Sequence, residues 1–350
     1  MRRLGLASLA LAGALAGAAP GSGATPLPLV KNVNGWITAL AMDGPQVAYA
    51  TQAYAPTNCD KLFTWNVTTR AAVLVSGPKT GSCGSDEPSG RPVQEVAIAG
   101  TRLAWLRAIA GNTESDDYLF TATLPKPAEV RLAAASRIGD REQGPQQGGW
   151  IGGLVGSGTV LTANTWTTDS TGTVTKASLD AVGVKRLSAI ASGPGTITAE
   201  SADTGRVAVV RSDGSVAIYA ASGTLLQTIA PSSVAEVALR KDYLVVLTKT
   251  KTLEIYNSHT GALIRTWPVP GGAANLDVNS NIAVYSVWRT LYGLQLTTGK
   301  QVVLSEPKRA IVAAEIEAPG VVYAYDTVKG IRDIGNLVFL PLAGVQDELS

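Results

Sequence analysis

Between Ala235 and Pro270 the chain alternates short apolar runs with turn signals: AEVALR, YLVVLTK, TLEIYN and ALIRTWP, separated by KD, TK and SHTG. No run is long enough for a helix with its own connections, so the pattern predicts a meander of four antiparallel strands. YLVVLTK is apolar on both faces, as expected of a strand sandwiched between neighbouring layers rather than one with a wet side.

The same pattern recurs along the chain. An apolar residue opens the second strand of each unit at Val47, Leu103, Val160, Val207, Leu244, Ile282 and Val321, and the last four units lie about 38 residues apart. A four-stranded sheet cannot bury both of its faces alone, so repeats of this period are expected to stack radially. The sequence therefore predicts an all-β fold, a seven-bladed β-propeller occupying residues 25–350 as a single domain. The seventh unit has three clear strands, IVAAEIE, VVYAYD and NLVFLPL. Thr25 to Val30, TPLPLV, is expected to supply its fourth, so that the last blade is closed by the N-terminal strand. The prolines confine that segment to a sheet edge.

Units one to three carry extra residues, at Gln52 to Asp60, Gly77 to Pro92, Ile109 to Asp116, Ser136 to Gly149 and Thr167 to Gly172. In a meander blade, the turn from second to third strand and the passage to the next blade open on the same side of the disc. All five insertions thus fall on one face, where a rigid scaffold carries binding loops. Trp150 and Trp166 flank this side of unit three and can stack on a sugar or peptide, or fill gaps between blades. Glu114, Asp116 and Asp117 are expected on the same face as a solvated acidic loop. Cys59 and Cys83 sit in two of the insertions. An isolated pair in an exported chain reads as a disulfide, which across a loop of this length restricts the unfolded state by about 3 kcal/mol.

Eight positions before the recurring apolar residues lie Ala39, Glu95, Gly152, Ala199, Glu236, Ala274 and Ala313. Small side chains suit the crowded innermost strands, and Glu95 and Glu236 are expected to line the axial channel as solvated carboxylates. No metal or other cofactor is expected: two carboxylates are too few oxygens for a hard-cation cage. His259, the single histidine, falls in the SHTG turn on the opposite face, away from any Ser-His-Asp geometry. No catalytic residue is assigned.

Composition and the N-terminus narrow the setting. Arg2 and Arg3 precede an apolar run from Leu4 to Ala19, closed by Pro20 and small residues, so residues 1–24 read as a secretory signal peptide of bacterial type. The run is shorter than the ~20 residues of a membrane span, so no span is expected in the mature chain. Removing the signal takes two arginines from 29 basic residues and leaves 27 against 27 acidic ones. Without a basic surplus, nucleic acid is not an expected partner. A secreted or cell-envelope location and a monomer are expected.

In units five and six, NSHTGALIRTWPV and QLTTGKQVVL place Thr260, Gly261 and Trp267, and Thr298 and Gly299, where a third strand turns into a fourth. These residues resemble the quinoprotein-like and WD40-like propeller repeats. That resemblance implies a fold rather than an activity. The vicinal cysteines that hold a quinone in some quinoprotein dehydrogenases have no counterpart here. The sequence thus favours a non-catalytic scaffold that binds a protein, peptide or glycan ligand through the loop-rich face of units one to three. The alternative is an extracellular enzyme, quinone-dependent or a hydrolase or lyase using Glu95 and Glu236 as paired carboxylates.

Overall fold

The computed structural model describes residues 28–52, 60–77, 92–110, 113–139, 144–193, 197–329 and 332–350. After β1 (Leu29–Asn34) the chain forms β2 (Trp36–Asp43), β3 (Gln46–Gln52), β4 (Lys61–Asn66) and β5 (Ala72–Ser76). Next come β6 (Val93–Ala99), β7 (Arg102–Ala110), β8 (Glu114–Thr123) and β9 (Val130–Ile138), then β10 (Gln147–Ser157), β11 (Val160–Thr168), β12 (Val174–Val182) and β13 (Leu187–Gly193). The more regular half holds β14 (Ile197–Asp203), β15 (Arg206–Arg211), β16 (Val216–Ala220), β17 (Leu225–Ile229), β18 (Glu236–Arg240), β19 (Tyr243–Leu247), β20 (Thr252–Asn257) and β21 (Leu263–Pro268). It continues through β22 (Ala273–Asn279), β23 (Ile282–Val287), β24 (Thr290–Gln295), β25 (Gln301–Ser305), β26 (Ile311–Glu317), β27 (Gly320–Lys329) and β28 (Arg332–Pro341) to a terminal helix α1 (Leu342–Leu349).

These strands make a β-propeller, yet not as separate four-stranded sheets throughout. Among the described residues, five sheets are discrete and four-stranded, whereas β6 to β13 form one eight-stranded sheet. The expectation of seven separate blades is corrected at that point. The reason is local: Gln147 and Gly148 of β10 pair with Ile138 and Arg137 of β9. Gly148 has φ +137°, and a Cβ there would lie 2.4 Å from the Ser136 carbonyl oxygen. Glycine lets the two backbones approach closely enough to share a ladder.

Both ends of the passage Ser136 to Gly149 are accordingly taken into strands, residues 136–138 in β9 and 147–149 in β10. The expected insertion Ile109 to Asp116 likewise becomes a longer β7–β8 hairpin, paired as far as Ala110 and Ser115. Thr167 to Gly172 closes as a compact turn in which Asp169 Oδ1 accepts from Thr171 N at 2.8 Å and Thr173 N at 3.0 Å. Residues 53–59 and 78–91, with Cys59 and Cys83, lie outside the described residues.

Apolar layers hold neighbouring sheets together. Ala238, Val245 and Ile255 of one sheet meet Val278, Ala283 and Tyr285 of the next. Second strands such as β19, predicted apolar on both faces, are buried from Leu244 to Leu247. β1 pairs antiparallel with β28 from Leu29↔Phe339 to Asn34↔Ile334, so the N-terminal strand completes the sheet of β26 to β28. Of the expected TPLPLV, Leu29 and Val30 take part, beyond Pro28, which has no N–H to donate; Thr25 to Leu27 lie outside the described residues. α1 buries Val345 and Leu349 against the core, beside β24, β25, β27 and β28.

Candidate functional site

One end of the disc collects the starts of the first strands and the ends of the second strands. There Trp150 of β10 and Trp166 of β11 are direct partners in register. Their rings stack with centroids 5.8 Å apart and planes 5° from parallel. On the β9 side the Arg137 guanidinium sits 3.8 Å from the Trp150 ring centroid, a cation-π contact strengthened by burial. Trp150 Nε1 donates to Thr168 Oγ1 at 3.1 Å, and Thr168 Oγ1 donates to the Gln146 carbonyl at 2.8 Å. Both tryptophans stay half-buried.

The acidic residues predicted as a solvated loop lie within strand β8, where alternation separates them. Glu114 is exposed, and the half-buried Asp116 accepts from Tyr118 Oη at 3.3 Å. Asp117 is buried: its Oδ2 lies 2.6 Å from Arg137 Nη1 and accepts from Ile151 N at 3.1 Å. This ion pair fixes the arginine under Trp150 and pins β8 to the backbone of β10. The structure therefore brings Asp117, Trp150 and Trp166 together and leaves Glu114 and Asp116 outside the cluster.

Beside the tryptophans a groove of about 340 Å³ runs between β9 and strands β10 to β12, lined among others by Ser136, Trp150, Trp166, Thr167, Lys176 and Ser178. Thr165 Oγ1 and Ser178 Oγ donate to the two oxygens of Asp180, at 2.8 and 2.9 Å. Indole surface, hydroxyl groups and one exposed lysine are the materials of a recognition site for a ligand of little charge.

The second concentration of polar groups lies along the axis, around a cavity of about 190 Å³ lined by Glu200, Arg240, Asp277, Glu315 and Glu317 among apolar neighbours. Glu95 and Glu236, the expected channel-lining pair, each accept a hydrogen bond from an adjacent backbone. Glu95 Oε2 accepts from Leu154 N at 2.8 Å, and Glu236 Oε2 from Leu276 N at 2.7 Å. Each carboxylate thus ties its own first strand to the first strand that follows. The small-residue positions Ala39, Gly152, Ala199, Ala274 and Ala313, and Glu95, all flank a register shift in their strands. Bulges of this kind re-aim the residues that follow.

Burial is the main reason the Glu95 carboxyl is held above its usual range, against the Leu154 N–H. Glu200 is pushed up to about 7 by burial, then by repulsion from Glu236 and Glu95. Among the described residues no group of three or more His, Cys, Asp or Glu side chains could hold a metal ion. His259 is exposed in its turn, 3.3 Å from Asp242, while Ser258 Oγ donates to the Lys241 carbonyl. The axial residues absent from the sequence-based set had a signal: charges in AES, ALR, LDV and AEIE interrupt strands that are otherwise apolar.

No protein-family model matches the chain, and no curated protein matches its sequence. Solved structures match its shape. A chain of the mitotic checkpoint complex superposes with a TM-score of 0.55 at 13% identity, covering 96% of this chain and 98% of that one. The WD40 β-propeller domain of Doa1 gives 0.53 at 10% identity, covering 91% and 99%. The fold is a WD40-like β-propeller. The computationally designed protein Ika8 is similar at a TM-score of 0.50 and 15% identity, covering 89% and 98%. At these identities a shared fold carries no shared activity. No described helix of this propeller is long and apolar enough to cross a membrane.

Proposed function

We infer that the chain is an exported, non-catalytic interaction scaffold that holds its ligand, a peptide or a glycan, in the groove beside Trp150 and Trp166. The observation that carries this reading is the parallel tryptophan pair lining an open groove, backed by a buried ion pair. Half-buried aromatic side chains on a rigid support are the usual anchors of recognition sites. A structural neighbour solved within the mitotic checkpoint complex lends support to an interaction role for this fold. In the paired-carboxylate alternative, Glu95 and Glu236 each accept from a neighbouring backbone N–H, a bond that also serves to hold strands together.

The blade count belongs to the same proposal. First strands β2, β6, β10, β14, β18, β22 and β26 contact one another in succession, and β26 returns to β2. This supports counting β6–β9 and β10–β13 as two blades sharing an edge, for a ring of seven. Export adds that the leader is removed, leaving a mature chain that starts at Thr25.

Glycan and peptide arrays probed with residues 25–350 test the groove. Binding should fall at least tenfold in Trp166→Ala, the loss of roughly 1.4 kcal/mol expected for one aromatic anchor, with the circular dichroism spectrum unchanged. No binding to either array, or undiminished binding by Trp166→Ala, refutes the groove as the site. Sequencing the N-terminus of the secreted chain checks the leader separately.

A further inference from the structure

At the seam where the N-terminal strand completes the last sheet, β1 packs against the sheet of β2 to β5. The residues of β1 alternate: Leu29, Lys31 and Val33 are half-buried, while Val30, Asn32 and Asn34 are exposed. Across the seam Tyr49 of β3 pairs with Phe63 of β4, and Thr51 of β3 pairs with Lys61 of β4. Residues two apart on a strand share a face, so these four side chains form one surface. Together with Lys31 they line a groove of about 340 Å³. Small-molecule pockets begin at about 300 Å³.

The groove is basic and its polar groups are unused. It has one lysine in each wall, and no acidic side chain lines it among the described residues. The ion pairs of the described residues engage Arg137, Arg206, Arg240 and His259, so neither Lys31 nor Lys61 has a counter-charge there. Tyr49 is 1% exposed and Thr51 3%, yet neither hydroxyl has a hydrogen-bond partner among the described residues. Burial alone raises the Tyr49 phenol above its usual range, with no bonded or charged partner contributing. Buried polar groups are nearly always paired, so two free hydroxyls beside two unpaired ammonium groups point to an acceptor that comes from outside the chain.

The same groove has an aromatic floor. The Tyr49 and Phe63 rings stack with centroids 5.4 Å apart and planes 16° from parallel, and Phe63 stays half-buried at the groove. We propose that the groove between β1 and strands β3 and β4 is a binding site for a small aromatic carboxylate. Lys31, Lys61 and the two hydroxyls hold the carboxylate, and its ring lies against Phe63. Ammonium groups and hydroxyls are all donors, and a carboxylate accepts from several at once. A neutral ligand would leave both lysines unpaired, and a cation would be repelled. This site shares no lining residue with the tryptophan groove between β9 and strands β10 to β12.

Ligand-observed NMR titrations of the mature chain with phenylacetate, phenylacetamide and phenethylamine test the assignment. Phenylacetate should bind about tenfold more tightly than its neutral amide, and the amine should not bind. Lys31→Gln and Lys61→Gln should each weaken phenylacetate about threefold or more, and together should abolish its advantage over the amide. Tyr49→Phe keeps the stacked ring and should weaken binding about threefold with an unchanged urea midpoint, whereas a hydroxyl with a structural role would lower that midpoint. Trp166→Ala should leave phenylacetate binding as it is. Equal binding of phenylacetate and phenylacetamide, no binding of phenylacetate, or a double lysine variant that binds like the native chain overturns the site. Loss of phenylacetate binding in Trp166→Ala overturns it too, by placing the probe in the other groove. Should a lysine variant fail to fold, the three probes on the native chain and on Trp166→Ala decide.

Discussion

The sheet of β18 to β21 and the sheet of β6 to β13 start from one strand plan and treat their neighbours differently. In the first, β18 pairs with β19 in unbroken register from Glu236↔Leu247 to Arg240↔Tyr243. Its faces meet the adjoining sheets through apolar side chains such as Val237 and Leu239 on one side and Ala238 and Val245 on the other, with polar ties from Glu236 and Arg240 at the axis. In the second, β7 and β8 span Arg102–Ala110 and Glu114–Thr123, where β19 covers only Tyr243–Leu247. The added length supplies a buried ion pair, a stacked tryptophan pair and a shared ladder. Extra residues in this propeller have lengthened strands at one end of the disc, and the candidate groove stands on that extension.

If the extension is held by its buried charges, removing one should cost more than any change in the plain sheet. Asp117→Ala strands Arg137 without its counter-charge and leaves Ile151 N without its acceptor. A buried pair broken on one side typically loses about 3–5 kcal/mol. A urea titration should show a loss of that size, together with weaker quenching or shifted emission of Trp150, whose ring rests on Arg137. A loss under about 1 kcal/mol would mean that the pair is no more than a surface contact.

The shared ladder is the next feature to break. Gly148→Ala places a Cβ 2.4 Å from the Ser136 carbonyl and 2.7 Å from Arg137 Cα, at φ +137°. Backbone cannot yield as a flexible side chain does, so the β9–β10 pairing should separate, with a loss of about 2 kcal/mol or more. Gly272→Ala is the control: its φ is +83° with no atom within 4 Å of the added carbon. It should lose about 1 kcal/mol from backbone strain alone. Equal losses in the two variants would deny the close approach at Gly148 any special weight.

The contrast between these sheets also marks how far the sequence could be read. Period, alternation and turn residues are local, and they were enough for the meander, its buried second strands and the β-propeller fold. The N-terminal strand was legible as a sheet-completing edge, and its described pairing runs from Leu29 to Asn34, beyond Pro28, which cannot donate to a ladder. Trp150 and Trp166 were legible as a loop-face pair. The fate of Asp117 was not, because hydropathy reads an acidic residue as solvated and cannot see Arg137 arriving from another strand. The joined ladder was equally hidden, for a glycine-rich passage reads as loop until a second backbone is placed beside it. At the axis, Glu95 and Glu236 stood out by position, but their backbone partners Leu154 and Leu276 belong to other first strands and could not be read from local pattern.

The smallest effect belongs to the plain sheet. Leu263 on β21 is 54% exposed, and its neighbour Ile264 is exposed as well. Because this strand is an outer edge, a side chain there loses little water contact on folding. Leu263→Ser should change the urea midpoint by no more than the equivalent of about 0.5 kcal/mol. A larger loss would show that the outer edge is covered in solution, by a second copy or another chain. The plain sheet would then carry an interface of its own, and the division of labour between the two sheets would no longer hold.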